Sequence, residues 1–432
     1  MMKRFLLITA MVVSTITVCA QEEKELDIKY RRSSLYTVMI DKPGLPYAEE
    51  IKKNFINIPL PDKFNNHNLE KRIYAEGEIP IPENLEKTKK KKKTNEEESD
   101  MTLYASLETD ISGSPTEDIL KQIARDLVAK WFNRSENGGF DMELIKQRGS
   151  YDASALDIAK AKASKRGVDM LADAGEELIG KTFVLVNEFK YTDKAEVAEK
   201  AKGWLDAIGT VGELAGVSNA STLTTVAGAG VAVAGKGYVV RTHAHLYQLV
   251  WDEETAAIFY NELWADDATI TPEKKAAFDQ STIFKLKYIG TDNSWADVQS
   301  SIFTNKSEEQ LIERASIKSI DAVIVKLQKE YDVFKTKTPL YSGEPITAKI
   351  GLKEGLTAKS VFDVLEQTID ENGKTEYKVV GTIKVDPKYP IWDNQYGADE
   401  ENPNNTTDRT YFKKVKGKEF YSGMLLVQKK GK

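Results

Sequence analysis

Two histidines stand two residues apart in His243-Ala244-His245, inside a stretch from Gly237 to Trp251 that alternates with period two. Side chains two apart on a strand leave the same face, so the pair has the spacing of two ligands to zinc or iron. A carboxylate such as Asp252 or Glu254 would have to complete the set, because the only other histidine is His67. Arg241 shares the face and repels a cation, and a polar, solvated strand face is the preferred reading. Gly230-Val-Ala-Val-Ala-Gly235-Lys236 has the outline of a phosphate-binding loop. Gly237 stands where a magnesium-binding hydroxyl belongs, and a strand rather than a helix follows, so no nucleotide is assigned. No serine lies in a nucleophile elbow, and no pair of carboxylates can be singled out for glycoside chemistry, since their separation is spatial. No catalytic residue and no cofactor is assigned.

The elements around these residues follow from pattern. Phe183-Val184-Leu185-Val186, within Thr182 to Glu188, is a continuous apolar run suited to a strand covered on both faces. A third strand is expected from Ala256 to Trp264, after Asp252-Glu253-Glu254. Leu35 to Ile40 reads as a strand, Asn54 to Pro61 as an extended piece, and Leu69 to Glu78 as a third. Ser114-Pro115-Thr116-Glu117 opens a helix whose stripe runs through Ile119, Ile123, Leu127 and Trp131 to Phe132. Phe140 to Ile145 alternates as a strand. Ala153 to Ile179 reads as an alanine-rich helix capped by Gly180. Thr271-Pro272-Glu273 starts a short helix, and Thr282 to Ile289 alternates. Ser307 and Gln310 form a capping box before Ile317, Ile320, Ile324, Leu327, Tyr331 and Phe334, a stripe expected to lie along the protein's own sheet.

Beyond Pro339 the pattern is all β, with strands at 345–351, 360–366, 377–385 and 423–427 and a hairpin turn at Asp370-Glu371-Asn372-Gly373. The loop from Asp386 to Asp408 holds Trp392, Tyr396 and six acidic residues. Loops of that length carry function or lack order, and Trp392 and Tyr396 are the candidate binding residues.

The amino terminus carries Lys3 and Arg4, an apolar run from Phe5 to Val18, and Val18-Cys19-Ala20 before Gln21, the layout of a secretory signal peptide. Cleavage after Ala20 is favoured over lipidation of Cys19, and it would leave no cysteine, hence no disulfide and no thiol chemistry. Of 61 basic residues, 59 would remain against 67 acidic ones, a net charge of −8 that speaks against nucleic acid. Lys87 to Glu98 places a basic run before an acidic one, a solvated loop within 84–100. Ala215 to Ala234, inside a small-residue insertion at 202–237, has no charged residue. Outer-membrane association through 215–234 is one reading, and a small-residue helix or hairpin packed under the domain is the favoured one.

Phe140, Met142, Leu144, Ile145 and Arg148-Gly149, followed by Phe183 to Val186, resemble the domain shared by the TolB amino-terminal region, the curli secretion channel and the flagellar T-ring protein. Gln147 stands where an acidic residue is usual there. Gly351-Leu352-Lys353-Glu354-Gly355-Leu356 with Val361 to Val364 is similar to the small β-barrel that ends the T-ring protein. The resemblance implies an α+β fold, a mixed sheet with long packing helices followed by a small SH3-like β-barrel. Read from its own patterning, the chain divides into a leader at 1–20, a β-rich segment at 21–113, a middle domain at 114–338 that carries the insertion at 202–237, and a barrel at 339–432. The resemblance also implies an exported protein, periplasmic or outer-membrane-associated, that binds other envelope proteins or cell-wall components without catalysis. A secreted hydrolase, metal-dependent through His243 and His245 or acting on glycans, and a carbohydrate-binding module are the alternatives. Partner identity and oligomeric state are not legible.

Overall fold

In a computed structural model of the chain, which describes residues 33–61, 63–81, 117–152, 176–193, 237–299, 307–369, 375–398 and 407–429, the apolar run at Phe183 lies mid-sheet. The expected leader, the charged loop, most of the helix from Ala153, the insertion at 202–236 and the turn at 370–373 fall outside those residues.

A mixed sheet organises the first body. Strand β1 (Ser33–Asp41) runs parallel to β2 (Phe64–Asn66), β3 (Ile73–Ala75) and β4 (Thr182–Asp193). Antiparallel β5 (Gly237–Leu249) and β6 (Leu286–Gln299) complete it. Strands from 33–75 therefore share one sheet with those at 182–193 and 237–299.

Both faces are covered, which is why β1 and β4 read as unbroken apolar runs. On one face Leu35, Phe183, Leu185, Ala244 and Leu246 pack against helix α6 (Glu308–Glu330) through Ile312, Ile320, Ile324 and Leu327. The capping box forms as expected, Ser307 Oγ accepting from Gln310 N and Gln310 Oε1 from Ser307 N. On the other face Val38, Val184, Val186, Tyr247 and Leu249 meet α2 (Glu117–Trp131) and the aromatic group Phe132, Phe140, Phe259, Phe278 and Phe284.

Three segments expected to be extended are helical, and burial periodicity explains each. Helix α1 (Ala48–Asn57) buries Ile51, Asn54 and Phe55, spaced three and four apart, so Pro59 and Pro61 end a helix rather than forbid one. Helix α3 (Glu143–Asp152) replaces the expected strand at 140–145. Asp141 Oδ1 accepts from Glu143 N, and Ile145 and Arg148 are buried on one side. Helix α4 (Glu253–Ile258) and a π-helical turn (Phe259–Leu263) replace the strand at 256–264. Thr255, Phe259 and Leu263 are buried four apart, a helical period that a short apolar run from Ala256 to Tyr260 does not reveal. Helix α5 (Pro272–Asp279) starts at Thr271 as expected, whereas β6 begins at Leu286 rather than Thr282.

The second body is a seven-stranded sheet. Its edges are β7 (Thr338–Pro339) and β8 (Ser342–Gly343), and between them run β13 (Leu425–Gln428), β10 (Val361–Ile369), β11 (Thr375–Val385), β12 (Thr410–Gly417) and β9 (Ile346–Ala348). Leu340 and Tyr341 alone separate the edges in sequence, so three Cα steps of at most roughly 11 Å hold them together. The sheet must curl, and its concave side encloses Phe362, Val364, Ile383, Val385, Phe412 and Leu426. Gly417 adopts φ +117° at the bend, where a Cβ would lie 2.7 Å from Gly381 Cα.

Candidate functional site

The register of β4 with β5 pairs Glu188 with His243 and Val186 with His245. Glu188 follows Val184 and Val186 on the same face, so an apolar face ends in a carboxylate just where the two histidines arrive. Lys42, just past β1, reaches the same place, its Nζ 3.0 Å from Glu188 Oε1 and 3.9 Å from Glu76 Oε1. Glu188 Oε2 lies 3.5 Å from His245 Nε2, an ion-pair separation longer than a good hydrogen bond. The His243 and His245 rings stack with centroids 4.8 Å apart. Lys42, Glu188 and His245 are each less than a tenth exposed.

Electrostatics fix the charge states. Burial alone would raise the Glu188 pKa, but His245 and Lys42 outweigh it and hold the carboxyl below its usual range. Burial pushes His243 down to about 4, with His245, Lys42 and Arg241 adding to the effect against Glu188. The repulsion expected from Arg241 is thus felt by the imidazole itself.

The Lys42 ammonium stands beside Glu188, where its charge repels a cation. Asp252, one of the two candidate carboxylates, caps α4, with Oδ1 accepting from Thr255 N at 2.8 Å. Among the described residues no group of three or more His, Cys, Asp or Glu is placed to hold a metal. Lys42, Glu188 and His245 form a buried polar cluster, with half-buried His243 stacked on it, between the end of β1, β4 and β5. Lys42 and Glu188 escaped the sequence reading, and the one available signal was a carboxylate continuing the alternation of Val184 and Val186.

A second buried network involves residues singled out for other reasons. Arg148 lies with its guanidinium carbon 4.2 Å from the Trp131 ring centre. Its Nη1 donates to Ser34 Oγ and to His67 Nδ1, each at 2.9 Å, and its Nη2 donates to Asn66 O at 3.2 Å. His67 Nε2 donates to Leu127 O at 3.0 Å, so the partners select the neutral Nε2–H tautomer. Burial, reinforced by Arg148, holds the His67 pKa well below its ordinary value. Trp131 Nε1 donates to Thr182 Oγ1 at 2.7 Å, which joins α2 to β4.

These two neutral histidines give the fold an acid-sensitive range. The unfolded chain protonates His243 near pH 6.5 and the folded one near 4, so the unfolded state binds more protons between those values and stability falls as pH drops. Urea unfolding at pH 7 and pH 5 is expected to differ by about 2 kcal/mol from this residue, with His67 adding in the same direction. In a His243→Gln variant that share of the slope should disappear; a slope identical to wild type would rule the assignment out. Glu188 acts at lower pH, its contribution present above the ordinary carboxylate range and lost as pH falls through its depressed folded value.

The candidate binding residues lie on the loop after β11, which is docked on α6. Tyr396 donates its hydroxyl to Glu313 Oε1 at 3.3 Å, and Arg314 Nη2 donates to Gly397 O at 3.2 Å. Trp392 is half-buried, its N–H donating to Thr410 Oγ1 and its carbonyl accepting from Leu352 N. A more open aromatic group lies beside them. Tyr389 stacks on Tyr411 with centroids 4.3 Å apart, and the Arg409 guanidinium lies 3.8 Å from the Tyr341 ring centre. Among the described residues no helix is long and apolar enough to cross a membrane, and 215–234 lies outside them. No protein-family model matches the chain, and no curated protein matches it.

Proposed function

We propose that this chain is an exported, non-enzymatic envelope protein, periplasmic or outer-membrane-associated, which binds another envelope component through its carboxy-terminal sheet. In this reading the curled sheet works as an SH3-like recognition barrel, and the first body is the scaffold that presents it. The leader-like amino terminus supports export, and the resemblance to the TolB, curli-channel and T-ring domains supports an envelope setting.

One observation carries the recognition role. Of the eight large hydrophobic residues exposed among the described residues, five lie between Val379 and Tyr421. Val379, Val415 and Tyr421 are more than half exposed, Tyr389 is 48% exposed and Tyr396 36%. Aromatic side chains offer a large contact area at little rotamer cost, and protein-binding surfaces are enriched in them. The buried ionisable groups Lys42, Glu188 and His245, in contrast, lie beside one another where β1, β4 and β5 meet. A glycan partner is a second reading, favoured by the stacked Tyr389–Tyr411 pair, which presents a flat ring to a sugar face.

A photoreactive amino acid placed at position 389 tests both. In cells it should capture a discrete envelope component, a protein or a cell-wall fragment, whereas the same group at exposed Ile56 should not. Equal capture at the two positions, or none at 389, would remove the basis for the reading.

A further inference from the structure

A cavity of about 890 Å³ opens where α6 meets the curled sheet, and a smaller one of about 130 Å³ adjoins it through Lys63, Lys335 and Thr336. Ligand sites concentrate at such seams between bodies, and 300–1,000 Å³ is the usual range for a small organic ligand. Seven lysines line the two spaces against three carboxylates. This is a local cationic excess in a chain whose formal net charge is −6.

Two of the three carboxylates, Asp332 and Glu354, are already committed, and Glu330 is the third. Asp332 pairs with Lys335 at 2.6 Å, and Glu354 Oε2 accepts from Gly351 N and Asn394 Nδ2 at 2.7 and 2.8 Å. Lys429 is likewise paired with Asp363 at 3.1 Å. Lys63 differs, because its Nζ donates to a neutral amide, Gln328 Oε1, at 2.7 Å. Burial lowers its pKa although Glu354 and Asp321 pull the other way, so an anion beside it would restore the stability of the charged form. Val325, Leu356, Phe362 and Leu426 supply apolar wall between the lysines.

We propose that this cavity is a binding site for a compact polyanion, a ring or chain bearing at least two phosphate groups. The site is separate from the Tyr389–Tyr411 surface and does not depend on the role given to that surface. The phosphates could belong to a free phosphorylated sugar or to a lipid headgroup, and the experiment separates these sources.

Calorimetric titration of the full chain with inositol hexakisphosphate is expected to show saturable binding, and neutral inositol none. Lys63→Gln combined with Lys359→Gln should weaken binding at least about tenfold per lysine lost, since a charge-assisted contact contributes about 1.5–3 kcal/mol. Lys359 is exposed, so the Lys359→Gln single variant keeps the test interpretable if the Lys63 change impairs folding. Lys384→Gln with Lys416→Gln, on exposed positions outside the cavity, should bind as wild type. Sedimentation with phosphatidylglycerol vesicles that fails in the cavity variants would identify a headgroup; titration without sedimentation would identify a free polyanion. Absence of both, or equal weakening by the Lys384 and Lys416 changes, would overturn the proposal.

Discussion

Replacing Glu188 with alanine is expected to destabilise the protein by about 3–5 kcal/mol, because it strands the buried Lys42 ammonium without a countercharge. Lys42 is 8% exposed, and its other acidic neighbour, Glu76, is 3.9 Å away and half exposed, too distant and too hydrated to substitute. Removing the carboxylate also deprives His245 of the Glu188 oxygen 3.5 Å away. Combining Glu188→Ala with Lys42→Met should recover much of the loss, since a buried pair replaced by apolar groups is often close to neutral. Urea denaturation of the two single variants and the double variant checks this. A single variant within about 1 kcal/mol of wild type would show that the pair is solvated and that the cluster does not anchor the sheet.

Arg148→Ala has the second large expected effect, also about 3–5 kcal/mol. The guanidinium joins four residues on three elements at once: Ser34 on β1, Asn66 on β2, His67 just after it and Trp131 on α2. Truncation leaves the Ser34 hydroxyl and the His67 Nδ1 buried without this donor and opens a void beside the Trp131 ring. Arg148→Lys should recover only part, because an ammonium cannot spread donors to Ser34, His67 and Asn66 in one plane while stacking on an indole. Thermal unfolding and the near-ultraviolet signal of Trp131 report it. If lysine restored full stability, the role assigned to the planar fork would be wrong.

The same clusters show how far the sequence could be read. The continuous run Phe183 to Val186 and the alternation from Gly237 state strand character outright, and both lie in the sheet. The stripe from Ile317 to Leu327, with its capping box, states a helix packed on that sheet. Ala256 to Trp264 misled because the short apolar run Ala256 to Tyr260 suits a strand or a helix equally, while burial of Thr255, Phe259 and Leu263 keeps a period of four. Asn54 to Pro61 misled because prolines that terminate a helix were read as forbidding it.

Partnerships across the fold were beyond the reach of spacing. His243 and His245 gave a shared face, but the identity of the carboxylate depended on the register of β4 against β5, which sequence order does not state. The choice of Asp252 followed sequence proximity, and the helix-capping role of that residue took precedence. The lysine-lined cavity was equally hidden, since its walls come from Lys63, α6 and the turn at Gly355, far apart in the chain.

Buried polar clusters hold the sheet, and the proposed partner-binding surface is the exposed aromatic group around Tyr389. The most direct test compares crosslinking yield from position 389 in two folded backgrounds, Tyr411→Ser and the His243→Gln, His245→Gln double variant. The account predicts loss of capture in the first and retention in the second. Retention with Tyr411→Ser and loss with the histidine variant would place the working chemistry at the charge cluster instead, and would contradict it.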